Sequence, residues 1–274
     1  MSGRAPNEGY PDNHNHFLLA GDIDAMVAAA EKAGISDLVF SEHNFHLDEA
    51  REAIPYLAWR WTPEGPPLPI GEYVTKVRVA GEGSPVNVLL GLEVDVRPED
   101  PAFERASDAF TATRDDWDVV LGSVHTLSDD VSVQDESISM GPDEAWADYM
   151  ERLVIATSSH RFDVISHPIR LGNSVPGIPA AVPGLLGELA RVAAREQVAL
   201  EVNGSDLRRR PDLIDVYVDA LATHGAPVSL GSDAHLPRSV GGVRGVIPLL
   251  RERGITRIAR FDQRQMELVP LPEA

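Results

Sequence analysis

Cysteine is absent from this chain, and lysine is nearly so, occurring only as Lys32 and Lys76. The first absence removes both a disulfide framework and thiolate from any metal ligand set. The second excludes a Walker-type phosphate loop, because neither lysine follows a glycine. A G-x-S-x-G elbow and an H-E-x-x-H helix are missing too. Positive charge is scarce overall: 24 Lys and Arg stand against 43 Asp and Glu, a net charge of −19. That balance argues against nucleic acid as the main partner, since a phosphate backbone needs a basic face. A small phosphorylated molecule is compatible with it, because bound divalent ions and one or two arginines reverse the local potential. Long apolar runs are lacking as well. Ala25 to Ala30 is far too short to span a bilayer, and Met1 to His16 has no apolar signal core, so no membrane contact and a cytoplasmic location are expected.

What is present is a dispersed set of imidazoles and carboxylates. His14-Asn15-His16 lies near the start and Asp233-Ala234-His235 near the finish, with Glu42-His43, Glu93, His125 and His167 between them. Alternate residues of an extended segment point the same way, so each flanking pair can face one ion. Imidazole with carboxylate suits zinc, manganese or iron, and the implied chemistry is hydrolysis. A lone histidine is more often a surface or core residue than a ligand, but five of these candidates follow directly on apolar runs, where a strand would end: Val39-Phe40-Ser41 before Glu42-His43, Val88 to Leu92 before Glu93, Val119 to Val124 before His125, Val164-Ile165-Ser166 before His167, and Val228 to Ser232 before Asp233. His160 and His224 follow helical segments and read as solvent-facing, while His46 is left undecided.

Apolar strands alternate with amphipathic stretches in a β-α-β-α rhythm. Helices are expected over Asp24 to Ala33, Ile70 to Val79, Gly141 to Ser158, Pro183 to Glu196 and Pro211 to His224. Residues 55 to 69, with five prolines and with Trp59 and Trp61, read as a loop, as does Gly241-Gly242 to Gly245. Asn203-Gly204-Ser205 matches a glycosylation acceptor, but without a secretion signal the match is read as empty. Seven strands suggest a parallel α/β barrel whose ligands converge at the carboxyl ends; an open doubly wound sheet is the alternative, and would struggle to bring both chain ends to one ion. No linker divides residues 1–274, so one domain is expected.

Seven ordered segments, His14-x-His16, Ser41-Glu42-His43, Gly91-Leu92-Glu93-Val94-Asp95, Gly122-Ser123-Val124-His125, Asp163 to Pro168, Leu200-Glu201-Val202-Asn203 and Gly231 to His235, resemble the motifs of the PHP family of metal-dependent phosphoesterases over roughly residues 12 to 245. Within that family, Leu200 to Arg208 and Gly231 to Gly241 are most similar to the histidinol-phosphate phosphatases. The resemblance implies a distorted (β/α)7 barrel holding two or three divalent ions. It implies that His14, His16, Glu93 and Asp233 hold one ion, that Glu93 bridges to a second held by His125 and His167, and that His43 and His235 hold a third. For the remaining ligand of that third ion, Asp22 is the candidate and Asp24 the reserve, while Glu42 orients a neighbouring ligand. Arg170 and Arg208 resemble the family's phosphate-binding arginines, with Arg209 and Arg210 read as surface residues.

The activity implied is hydrolysis of a small phosphomonoester, histidinol phosphate first, by a hydroxide bridging two ions and attacking phosphorus in line. Glu93, Asp233, His43 and His235 would be the catalytic set, the last two being options for protonating the leaving group. The acidic loop Ser128 to Asp135 would suit a substrate carrying an amine. A phosphodiesterase or nucleotide phosphatase of the same family is the rival reading, and a non-catalytic metal-binding protein the rival from another class. Activity on DNA is disfavoured by the charge of −19.

Overall fold

In a computed structural model of the chain, the described residues are 9–18, 22–53, 67–98, 117–135 and 137–273, without the side chains of 51–53. Seven parallel strands run in sequence order: β1 (Tyr10–Asn15), β2 (Ile35–His43), β3 (Asn87–Asp95), β4 (Val119–Ser123), β5 (Val164–Ile165), β6 (Ala199–Asn203) and β7 (Val228–Gly231). The sheet closes where the chain beyond β7 meets the end of β1. The N–H of Asp233 donates to the carbonyl of His14 at 2.9 Å and that of His16 to the carbonyl of Ala234 at 2.8 Å, around a bridge between Asn15 and Ala234. This closure excludes the open-sheet alternative and yields a distorted (β/α)7 barrel.

The two faces of each strand divide by parity, as the pleat requires. Leu38, Phe40, Leu90, Leu92, Val120, Ile165, Leu200, Val202 and Leu230 belong to the large core shared with the surrounding helices. Val39, Leu89, Val119, Leu121, Val164 and Ala199 form a separate cluster inside the barrel. Continuing that inner row toward the carboxyl ends leads from Val39 to His43, from Leu89 to Glu93, from Leu121 to His125, from Ala199 to Glu201 and from Ser229 to Asp233. The site is thus the top of the barrel's own interior row.

The helices Ile23–Ala33, Ile70–Ala80, Pro142–Ser158, Val182–Glu196 and Pro211–His224 match the expected spans to within a residue or two. Gly34, with φ 73°, ends the first in the left-handed conformation that glycine adopts without strain. Most of the Pro-rich stretch, including Trp59 and Trp61, falls at 54–66, outside the described residues. An antiparallel hairpin that the sequence reading did not anticipate, β8 (Arg257–Asp262) and β9 (Gln265–Pro270), places Ala259 and Phe261 in the inner cluster. Arg264, in its turn, donates to the carbonyls of Asp118 and Arg161 and pairs with Asp163 at 2.7 Å, just before β4 and β5. The hairpin therefore plugs the amino-terminal end of the barrel.

Candidate metal centre and active site

Glu93, fully buried on β3, lies at the centre of the site. Its Oε2 has no hydrogen-bond partner among the described residues, yet it lies 3.4 Å from His14 Nε2, 3.5 Å from His16 Nε2 and 2.6 Å from His43 Nδ1. Its Oε1 accepts from the Ser123 hydroxyl and lies 3.0 Å from His167 Nε2 and 3.5 Å from His125 Nε2. His14 and His16 turn their Nε2 atoms toward each other at 3.0 Å. Lone-pair donors crowd together here beyond what the hydrogen bonds among them satisfy, an arrangement that a bound cation would relieve.

Three overlapping triads could each hold a metal ion, their donor atoms lying within 4.8 Å of one another: His14, His16 and Asp233; His43, Glu93 and His125; and His16, His43 and His235. His14, His16, His43, Glu93, His125, His167, Asp233 and His235 are thereby brought together from both ends of the chain. Asp22 is not. It is exposed, and its Oδ1 caps the helix Ile23–Ala33 by accepting from the Ala25 N–H at 2.8 Å, while His16 supplies the third donor beside His43 and His235. Asp24 is also exposed, on the first turn of that helix.

Carboxylates behind the ring hold the imidazoles. Glu42 accepts from the Phe17 and Leu18 N–H groups at 2.6 and 2.8 Å, lies 3.6 Å from His16 Nδ1 and pairs with buried His46 at 3.1 Å. That is the orienting role expected of it, and it resolves His46 as its partner. Asp95 meets His125 Nδ1 at 3.1 Å. Glu201 meets His14 Nδ1 at 2.8 Å and takes the His167 N–H at 2.6 Å. Sequence reasoning assigned no role to Asp95 or Glu201. The available signal was a carboxylate on the inner parity of an otherwise apolar strand.

Burial opposes charge on every group in this cluster, and neighbours decide the outcome. His16 is nonetheless held up at about 9 by Asp233 and Glu42, and His125 at about 10 by Glu93 and Asp95. His14 stays well above the usual range beside Glu201 and Glu93. Burial prevails at His43 and His167, and at His235 it pushes the ring down to about 4. Glu93 and Asp233 are held far below the usual carboxylate range despite burial, by His43 and by Arg170 respectively.

Above the cluster opens a cavity of about 570 Å³. His43, His125, His167, Asp233 and His235 form its floor; Phe45 and Val131 are apolar wall; Arg170 and Arg209 face it, as do Asp130 and Asp135 of the acidic loop. Arg170 is tied to Asp206 at 2.8 Å and Asp233 at 2.7 Å. Arg208 is exposed and does not line the cavity; its neighbour Arg209 does. Asn203 explains the difference: it caps the short helix Gly204–Arg209 by accepting from the Ser205 N–H, and the roughly 100° between successive helical residues sends the two arginines apart. Buried in that cap and bonded to Glu201, Asn203 is a structural residue and no exposed glycan acceptor. His160 and His224 are exposed, as expected.

Comparison with known proteins agrees with this geometry. The PHP domain model matches residues 13–205. A Deinococcus radiodurans protein named "probable histidinol-phosphatase" is 30% identical over 259 residues, covering 85% of this chain and 89% of its own length. A "probable phosphatase" of Proteus mirabilis is 27% identical over 253 residues, covering 89% and 86%. Among solved structures, histidinol phosphate phosphatase from Lactococcus lactis, complexed with zinc, L-histidinol and phosphate, superposes with a TM-score of 0.72 at 19% identity, covering 94% of this chain and 98% of that one; at that identity it speaks for the fold.

Proposed function

The chain belongs to the PHP domain family, and from that premise we propose that it is a metal-dependent phosphoric monoester hydrolase acting on L-histidinol phosphate. The observation that carries the reading is Glu93: a buried carboxylate with one oxygen unbonded among three imidazole nitrogens, at the floor of a cavity that also presents arginine. The donor set fits divalent ions of the zinc, manganese and iron type. His14, His16 and Asp233 would hold one, Glu93 with His125 and His167 would hold another, and His43 and His235 would serve a third. Such ions, when bound, lower the pKa of coordinated water and neutralise phosphoryl charge.

The chain's own groups do the rest. Arg170 commits Nε and Nη2 to Asp206 and Asp233, leaving Nη1 for a phosphate oxygen, and Arg209 supplies a second cation at the wall. His235, partly exposed, lines the cavity where the phosphate and its leaving oxygen would lie. Phe45 and Val131 offer an apolar surface to an imidazole ring, and Asp135 a negative charge to an amine, Asp130 beside it being paired with Arg97. Elemental analysis followed by phosphate release from histidinol phosphate, a monoester panel and diesters tests the proposal. Bound divalent ions with fastest turnover of histidinol phosphate are expected. Metal uptake without turnover, or a preference for diesters, overturns it.

A further inference from the structure

Glu201 sits on β6, yet it reaches His14 on β1 across the strand between them. The path exists because that strand carries Gly231: a Cβ there would fall 1.9 Å from Glu201 Oε1 and 2.7 Å from the His14 Cβ. The other oxygen turns back to the N–H of His167, a residue held at φ 34°, and to the Asn203 side-chain amide at 3.1 Å. One carboxylate, 1% exposed, thus grips a donor of the His14–His16–Asp233 triad and the backbone of the histidine that faces Glu93 from the other side. Apart from Glu93 itself, which sits among the donors, no other described carboxylate touches both halves of the cluster.

We propose that Glu201 is a positioning residue that locks the two halves of the metal centre in register through the gap left by Gly231, so that its loss weakens both ion sites together; this rests on the metal-centre reading above. For a ligating His14 the Nδ1 proton points at Glu201, which leaves the Nε2 lone pair aimed at the cluster. A glutamine cannot reproduce this. Its amide has one acceptor oxygen and one donor nitrogen. If the nitrogen faces His14, the ring proton is driven to Nε2, where it blocks ligation; if it faces the His167 N–H, two donors collide.

The experiment compares the wild type with Glu201→Gln, Glu201→Asp and Asp95→Asn by chelator-competition titration of each ion and by the visible spectrum of the cobalt(II)-loaded protein. Asp95 supports His125 alone and so serves as the one-sided control. We expect Glu201→Gln to weaken both sites by about 10- to 100-fold and to change the cobalt spectrum, with Asp95→Asn weakening one. Glu201→Asp, which keeps the charge but is one methylene too short to span the gap, should weaken both as Gln does, and it carries the test if the Gln variant does not fold. Wild-type affinities at both sites in the Glu201 variants, or a loss confined to one site, would overturn the proposal. A wild-type protein that takes up no divalent ion sinks the metal-centre reading itself.

Discussion

The two ends of this barrel are built from the same strands by opposite rules. On β3, Leu89 and Glu93 stand four residues apart on one inner row; the first packs in an apolar cluster with Phe261 and Ala259 of the terminal hairpin, and the second stands among imidazoles that leave its Oε2 unbonded. At the floor the inner side chains are mainly apolar, and the polar Asn13 donates to the Ser229 hydroxyl and to the Ala259 carbonyl, both at 3.0 Å. At the mouth nearly every inner group is titratable. Stability is concentrated where the hairpin seals the barrel and is given up where donors are held apart, the division expected of a barrel enzyme.

The sharpest way to break this comparison is to strike the mouth at its centre. Glu93→Ala should lose the donor common to both halves of the cluster and lower kcat/KM by at least about a thousandfold, roughly 4 kcal/mol, while far-ultraviolet circular dichroism stays native. Wild-type turnover in that variant would remove Glu93 from its role. Phe261→Ala strikes the floor instead. It should cost about 3–5 kcal/mol of unfolding free energy, read from urea titration, and leave the metal stoichiometry of the folded fraction unchanged. A variant that lost ions while keeping its stability would show that floor and mouth are not separable.

Much of the mouth was legible because buried parallel strands write themselves as continuous apolar runs, and the first polar residue after each run marks a carboxyl end. Five candidates followed such runs, and all of them lie in the cluster. The floor was not legible. Gln263 and Arg264 make the β8–β9 turn with φ 47° and 63°, and neither is the Gly, Asn or Asp that announces such a turn. Asp22 reads equally well as ligand or as helix cap; the Ala25 N–H claims it as a cap. Arg208 and Arg209 differ only in helical phase, which depended on recognising Asn203 as a cap rather than a glycan site. Asp95 and Glu201 were visible as carboxylates, but the contact from Glu201 to His14 spans 187 residues of sequence.

The arginines give a finer test of the cavity wall. Arg209→Ala should raise KM about tenfold with kcat nearly unchanged, since a wall cation contributes to capture more than to the chemical step. Arg208→Ala, at an exposed position off the cavity, should stay within about twofold of the wild type in both. The reverse pattern would place the phosphate on the other face of the helix Gly204–Arg209.

The smallest effect expected is a proton count. In the metal-free protein His16 titrates at about 9, His125 at about 10 and His14 well above its usual range, all against the pull of burial and because Glu93, Asp95, Glu42, Asp233 and Glu201 surround them. His125 and one ring of the His14–His16 pair, whose Nε2 atoms share a hydrogen bond at 3.0 Å, therefore carry an extra proton at pH 7 that a metal ion must displace, whereas His43, His167 and His235 are held low and yield none. Adding zinc to chelator-treated protein in weak buffer at pH 7 should release protons from the His14–His16 pair and from His125, measurable with an indicator dye. Apparent metal affinity should keep rising with pH to at least about 10, because the folded, metal-free rings lose their protons only in that alkaline range. Affinity that levels off near pH 7 would mean that the carboxylates do not keep these imidazoles charged, and that the mouth is already arranged for metal before any proton leaves.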